Sequence, residues 1–316
     1  MLQGASGRQV KELDRMVAYM RENHRPDVVV LSNAMLLGMA PKLSEQLGCS
    51  VVCMLQDEHD FIDALPEGFS DQAWDLMRDN AKSVSMFVAP SQYYADLMGP
   101  RLGLAPNTVK VCHNGIDPEG YAAADKPPDP PVIGYLSRLH PDKGLDLLVD
   151  AFVKLKNEPG LENIKLVIAG GMTQNFKDYI DTQKRSVEHA GVADDVQWID
   201  DFDRQSKRDF LPTLSVMCVP DRSGPAAGMF VMESLLAGVP LVEPAVGVIP
   251  ELLEDTGGGL LYDPDTPGDM TAKLTALLKD PRRAYDLGQS GRKAALEQFT
   301  AQAAATRLIA LFATLS

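Results

Sequence analysis

Two loops hold the residue types from which an anion site is built. Ser137-Arg138-Leu139-His140-Pro141-Asp142-Lys143-Gly144 carries two cations five residues apart, directly after the apolar run Val132-Ile133-Gly134-Tyr135. Across a strand-to-helix turn both can reach one diphosphate, Arg138 as a planar fork and Lys143 as a point charge. The alternative is a surface ion pair such as Arg138 with Asp142. The second loop lies within LSVMCVPDRSGPAAGMFVMESLLAGVPLVEPAVGVIPE, residues 214–251. This stretch reads as a strand, a Gly/Ser/Pro loop and a helix from about Ala226 to Ala237. The backbone amides near Gly228, Met229, Phe230 and Val231 and the helix dipole would then face an anion. Glu233 follows in the same helix, amid Met229, Met232 and Leu236. A carboxylate there needs a cleft or a partner, because burying it alone is prohibitive; the alternative is an ordinary helix-surface glutamate. Taken together, the two loops describe a nucleoside diphosphate pocket, with phosphates on Arg138, Lys143 and the amides near Gly228 and ribose hydroxyls on Glu233.

Two further loops follow apolar strands. Gln56-Asp57-Glu58-His59-Asp60 sets a histidine among carboxylates. His59 there can act as acid or base near neutral pH, or the loop is a solvated acidic one. His113-Asn114-Gly115-Ile116-Asp117 is a tight turn in which Asn114-Gly115 tolerates positive φ. No zinc-ligand spacing, Walker loop, GxSxG elbow or GxGxxG fingerprint occurs, and no metal site is expected.

The elements that would position these loops alternate. Val10, Leu13, Val17 and Met20 recur at helical spacing, and Val28–Leu31, Val51–Leu55, Met86–Ala89 and Val109–Cys112 are short apolar strands with helical segments between them. Ser91 is placed to cap the helix through Tyr94 and Met98. This rhythm predicts a parallel, doubly wound sheet, whose ligands bind at the carboxyl ends of its strands. A second series runs from Val132 through KLVIAGG (165–171) and Val196–Ile199 to the 214–251 stretch, giving at least five strands. The segment 122–131 is rich in proline and reads as a linker. The expected organisation is therefore a domain over 1–121, a linker over 122–131, a domain over 132–298 and a C-terminal helix over 299–316 that packs back on the first domain.

The chain has 316 residues, 45% of them apolar, and a net charge of −14 with no basic stripe. That argues against nucleic acid and anionic membrane as partners. The N-terminus lacks a signal pattern and no apolar run is long enough to span a bilayer, so any membrane contact would be peripheral. Cys49, Cys53, Cys112 and Cys218 lie in or beside apolar strand-like runs without CxxC spacing, which predicts buried free thiols and a cytoplasmic protein.

With these motifs in this order, the chain resembles retaining glycosyltransferases of the GT-B fold, family GT4. VIGYLSRLHPDKG resembles the opening of the family's donor domain, KLVIAGG its second strand, GMFVMESLLAGVPLVEP with GVIPELLED its E-x7-E region, and HNGID the turn closing the acceptor-side domain. The resemblance implies two Rossmann-like domains facing a cleft. It also implies metal-independent transfer of a sugar from a nucleotide-diphosphate sugar to a sugar, lipid or small-molecule acceptor, with retention and without a resident cofactor. Arg138 and Lys143 would stabilise the leaving diphosphate, Glu233 would hold the ribose, and Glu58 and Asn114 would border the acceptor side. Polysaccharide or glycolipid assembly is the family's usual setting.

Two departures stand out. The first glutamate of E-x7-E falls at Pro225, and only about 120 residues precede the linker. The second implies an abbreviated first domain whose edge, Val28–Leu31, needs cover from a second chain or from the rest of a longer gene product. The rival expectations are a non-catalytic nucleotide-sugar or partner-binding relative, and a GT-B sugar-nucleotide epimerase using His59.

Overall fold

The computed structural model describes residues 1–171, 174–199 and 203–315. Residues 172–173 and 200–202, within the expected second domain, and Ser316, in the expected C-terminal segment, lie outside the described residues. The chain divides into two compact units, one of residues 1–115 with 302–316 and one of residues 116–301. The proline-rich segment 122–131 belongs to the second.

In the first unit the chain runs α1 (Val10–Asn23), β1 (Val28–Leu31), α2 (Ala40–Leu47), β2 (Ser50–Met54), α3 (Glu58–Asp63), α4 (Phe69–Ala81), β3 (Met86–Ala89), α5 (Gln92–Arg101) and β4 (Lys110–Val111). The four strands form one parallel sheet in the order β1-β2-β3-β4. Their near-continuous apolar runs suit strands covered on both faces. Pro41 does not break a helix but lies in the first turn of α2, after a 3-10 segment, where its missing N–H is not needed. Ser91 caps α5 as its position predicts, its Oγ accepting from the Tyr94 N–H at 3.1 Å. β1 is the outer strand of the sheet, and Val30 on it is 46% exposed.

The second unit contains β5 (Val132–Leu136), α6 (Leu145–Leu155), β6 (Lys165–Ala169), α7 (Lys177–His189), β7 (Val196–Ile199), α8 (Arg204–Phe210), β8 (Val216–Met217), α9 (Met229–Leu236), β9 (Leu241–Pro244), α10 (Ile249–Thr256), β10 (Gly259–Tyr262), α11 (Asp269–Leu278) and α12 (Pro281–Gln298). The sheet is parallel throughout, in the order β10-β9-β8-β5-β6-β7. The chain winds outward from β5 in one direction through β6 and β7, then returns to β8 on the other side. The order therefore reverses between β5 and β8, and the loops leaving these two strands diverge around a crevice. That is where a doubly wound sheet binds its ligand. One large core, including Ile133, Tyr135, Phe152, Ile168, Met217 and Val242, underlies the sheet.

Helix α13 (Ala301–Phe312) carries the chain back to the first unit. Its Leu308, Leu311 and Phe312, with Leu315, pack on Val28, Val52, Met54, Met86 and Val88. The apolar edge of this helix thus covers one face of the four-stranded sheet.

Candidate functional site

The loop after β5 is fixed from below. Tyr135 is fully buried, and its hydroxyl lies 3.2 Å from the Lys143 carbonyl and 3.4 Å from the Arg138 carbonyl. His140 Nδ1 accepts the Asp142 N–H at 3.1 Å, capping a single 3-10 turn over Pro141–Lys143. Gly144 ends that turn at φ +65, and a Cβ there would lie 2.0 Å from the Pro220 carbonyl oxygen. Only glycine permits this approach, which brings the loop after β5 against the loop after β8.

Side chains then lock the two loops together. Lys143 Nζ lies 2.5 Å from Asp221 Oδ2 and 2.8 Å from Ser223 Oγ. Asp221 Oδ1 in turn accepts from the Ser223 N–H at 2.8 Å and hydroxyl at 2.7 Å. Beside them Arg222 grips Asp146 with both terminal nitrogens, at 2.9 and 2.7 Å, and Tyr179 adds a third donor at 2.8 Å. Burial alone would raise the Asp146 carboxyl, but the bonds from Arg222 and Tyr179 outweigh it and hold the group below the usual carboxylate range. The same surroundings push the Tyr179 hydroxyl up to about 12, chiefly through burial. The Asp142 carboxylate oxygen Oδ2 lies 3.2 Å from the same His140 nitrogen. Among the described residues the exposed guanidinium of Arg138 has no ion-pair partner. Two cations thus stand at the crevice, Lys143 pre-set by its neighbours and Arg138 unengaged.

On the β8 side the helix begins at Met229, three residues later than its apolar pattern suggests, because Gly228 takes the left-handed conformation at φ +60. Its Cβ would meet Leu252 Cδ1 at 2.8 Å and Val248 Cγ1 at 3.0 Å. First-turn amides of a helix find no acceptor within the helix. In α9 the Val231 N–H is already taken, closing a tight turn on the Gly228 carbonyl at 3.0 Å. The preceding loop is pinned as well, since the Pro225 carbonyl accepts the Val248 N–H at 3.0 Å and Gly247 approaches the Gly224–Pro225 backbone too closely for any side chain. Glu233, with its side chain 13% exposed, is paired: Lys207 Nζ is 2.7 Å and the Tyr121 hydroxyl 3.3 Å from its Oε1.

A second carboxyl, Glu243 on β9, was not singled out by its sequence context. It is fully buried beneath the loop, bonded to the Val219 N–H at 3.0 Å, and burial raises its pKa well above the ordinary carboxyl value. The VPLVEP run reads as an ordinary strand ending, so nothing in it signals a buried acid. A cavity of about 560 Å³ lies alongside, lined by Leu147, Pro220, Asp221, Arg222 and Tyr262 among others, but not by Arg138, Lys143 or Glu233.

Glu58, His59 and Asn114 belong to the first unit. Glu58 is 2% exposed, and its carboxylate accepts from the Ala34 N–H at 2.7 Å, the Gln56 N–H at 2.7 Å and the Tyr94 hydroxyl at 2.8 Å. These bonds staple the loops after β1 and β2 to α5. His59 is buried between Tyr94 (Nδ1 to hydroxyl, 3.4 Å) and Asp60 (Nε2 to carboxylate, 3.2 Å). Asn114 is half-buried in the turn after β4, next to His113, whose Nδ1–H donates to the Pro90 carbonyl at 2.9 Å. Glu58 is thus buried and engaged by three donors of its own unit.

A doubly wound sheet with a cationic turn and a helix N-terminus at its switch point can hold a phosphate-bearing ligand, and comparison with known proteins identifies the family. The family model described as glycosyl transferases group 1 matches residues 120–294, more than half of the chain, and that of glycosyltransferase family 4 matches residues 4–119. The chain belongs to this family. Among curated proteins it is similar to D-inositol 3-phosphate glycosyltransferase 2 of Catenulispora acidiphila, with 28% identity over 65% of this chain and 50% of that protein. It is also similar to the GDP-mannose-dependent alpha-(1-6)-phosphatidylinositol monomannoside mannosyltransferase of Mycolicibacterium smegmatis, with 31% identity over 61% and 49%. The chain thus spans about half the length of the curated relatives it matches. Among solved structures, Anabaena HepE in complex with UDP superposes with a TM-score of 0.82 at 18% identity, covering 99% of this chain and 84% of that one. Sucrose-phosphate synthase of Thermosynechococcus elongatus gives 0.77 at 17% identity, over 98% and 79%. At these identities the likeness establishes the fold, which is GT-B. Among the described residues no helix is long and apolar enough to cross a membrane.

Proposed function

We propose that this chain transfers a hexosyl group from a nucleotide-diphosphate sugar to an acceptor hydroxyl, with retention of anomeric configuration and without a metal ion or resident cofactor. The observation that carries this reading is the contact, at the switch point of one sheet, between the loop after β5, which bears Arg138 and Lys143, and the loop after β8, which leads into the Gly228–Val231 turn and Glu233. The diphosphate lies against the two cations and the first-turn amides of α9, and the ribose lies against Glu233. In the reaction the bond from the anomeric carbon to the diphosphate oxygen breaks and a bond to the acceptor oxygen forms on the same face. The acceptor proton passes to the departing phosphate oxygen. Negative charge grows on the diphosphate as it leaves, and a cation fixed in advance stabilises it without reorganising, which makes this the main catalytic contribution.

Relatives support the donor class: HepE was solved with UDP and with UDP-glucose, and the mycobacterial mannosyltransferase is named for GDP-mannose. Their names also favour a polyol, sugar or lipid-linked acceptor. No protein base is required in this reading. His59→Gln therefore leaves turnover essentially unchanged, whereas its loss of turnover with intact nucleotide binding would favour acid–base epimerisation. The outer strand β1 of the first unit is the place where a second chain would add cover. The test is incubation with UDP-, GDP- and ADP-hexoses and a panel of polyol and glycolipid acceptors, with NMR of the product. An α-linked product from an α-linked donor, unaffected by EDTA, supports the reading; an inverted linkage or an EDTA-abolished reaction overturns it.

A further inference from the structure

The pairing of Glu233 is asymmetric. Lys207 Nζ at 2.7 Å and the Tyr121 hydroxyl at 3.3 Å both address Oε1, while Oε2 accepts no hydrogen bond among the described residues. Both partners are themselves held. Lys207 lies on α8, whose first turn is capped by Asp203 accepting the Ser206 N–H at 2.7 Å. Tyr121 is 6% exposed, with the Arg208 guanidinium 5.4 Å from its ring centre and Arg292 donating to its carbonyl at 3.0 Å. The carboxylate is therefore not a freely rotating acceptor. At 13% side-chain exposure it is held in place by the Lys207 ammonium.

We infer that Lys207 and Tyr121 are positioning residues that occupy one oxygen of Glu233 and aim the other at the nucleotide, so that the site reads one ribose hydroxyl rather than two. A carboxylate with both oxygens open can accept the vicinal 2′ and 3′ hydroxyls together. One whose Oε1 already takes an ammonium and a phenol offers a single charged acceptor. The inference rests on Glu233 holding the ribose, and it adds a specificity: one deoxy analogue of the nucleoside diphosphate is discriminated against and the other is not.

The experiment is calorimetric titration of the full chain with UDP, GDP or ADP, whichever binds, and with its 2′-deoxy and 3′-deoxy analogues. The proteins are the unsubstituted chain, Glu233→Gln, Lys207→Met, Lys207→Arg and Tyr121→Phe. The unsubstituted chain should bind one analogue about 10-fold or more weaker than the ribonucleotide, the loss set by a hydrogen bond to a charged group, and the other nearly as well. Lys207→Met should erase most of the difference between the two analogues, because both carboxylate oxygens are then open to the vicinal hydroxyls. Lys207→Arg should keep the penalty, and Tyr121→Phe should reduce it in part. Equal penalties for both analogues, or a Lys207→Met protein that loses ribonucleotide and deoxynucleotide affinity in equal proportion, would overturn the inference alone. A penalty that survives Glu233→Gln would overturn the ribose role of Glu233 and this inference with it.

Discussion

Lys143 and Asp221, 78 residues apart in the chain, form an ion pair at 2.5 Å with side chains only 15% and 1% exposed. The pair joins the two loops at the switch point and directs the ammonium with two of its three hydrogens engaged, by Asp221 and Ser223. The third has no acceptor among the described residues. Removing one member of a buried pair leaves an uncompensated charge, at a cost of about 3–5 kcal/mol. Lys143→Met should therefore lower unfolding stability by about that amount, and adding Asp221→Asn should restore most of it. Nucleoside diphosphate affinity should fall in both variants. Chemical denaturation alongside calorimetric titration separates the two effects, and recovery of affinity in the double variant would remove Lys143 from the binding site.

Glu243 ties stability to pH. Its folded pKa is raised by burial above that of the unfolded chain, so the folded state holds a proton that the unfolded state releases. Stability from this group is therefore lost as pH rises from the ordinary carboxyl value toward the raised one. Glu243→Gln cannot ionise. The melting temperature of this variant minus that of the unsubstituted chain should grow steadily from pH 5 to pH 8; a constant difference would show that Glu243 ionises normally.

Gly228 combines a left-handed backbone with close neighbours in Leu252 and Val248. Gly228→Ala should destabilise the chain by about 1–3 kcal/mol through backbone strain. It should also displace the first turn of α9, weakening nucleotide binding beyond what the lost stability explains. Denaturation and titration on the same preparation check this.

Pro225 stands where the family pattern carries a glutamate facing the donor sugar, and the SGPAA loop around it holds no carboxylate. The nearest acid, Asp221, is committed to Lys143. Pro225→Glu should raise sugar transfer, or affinity for the nucleotide sugar relative to the bare nucleotide, by about 10- to 150-fold, the value of one hydrogen bond to a charged group. An unchanged ratio of nucleotide-sugar to nucleotide affinity would show that this position no longer faces the sugar.

Much of the fold was legible because the strands are short, apolar and bounded by turn residues. Val28–Leu31, Met86–Ala89, Lys165–Ala169 and Val196–Ile199 appear as strands in the structure, and the loop cations could be read from their place after Val132–Leu136. The start of α9 was misjudged because a glycine's backbone conformation, not apolar periodicity, decides where that helix begins. What could not be read were pairings across distance. Asp221, Lys207 and Tyr121 sit in loop and helix contexts that look like ordinary surface, and only the winding of β5 beside β8 brings them to Lys143 and Glu233. Glu58 shows pairings of the same kind: its three donors come from residues 24, 2 and 36 positions away.

The proposed function requires Arg138 and Lys143 to hold the diphosphate of a nucleotide. Calorimetric titration of the chain and of Arg138→Ala with UDP, GDP and ADP tests it most directly. One of the three should bind the unsubstituted chain, and Arg138→Ala, whose side chain is exposed and supports no other group, should weaken that binding by at least about 10-fold, as expected for a charge-assisted contact. Binding of none of the three, or equal affinity in the variant, would contradict it.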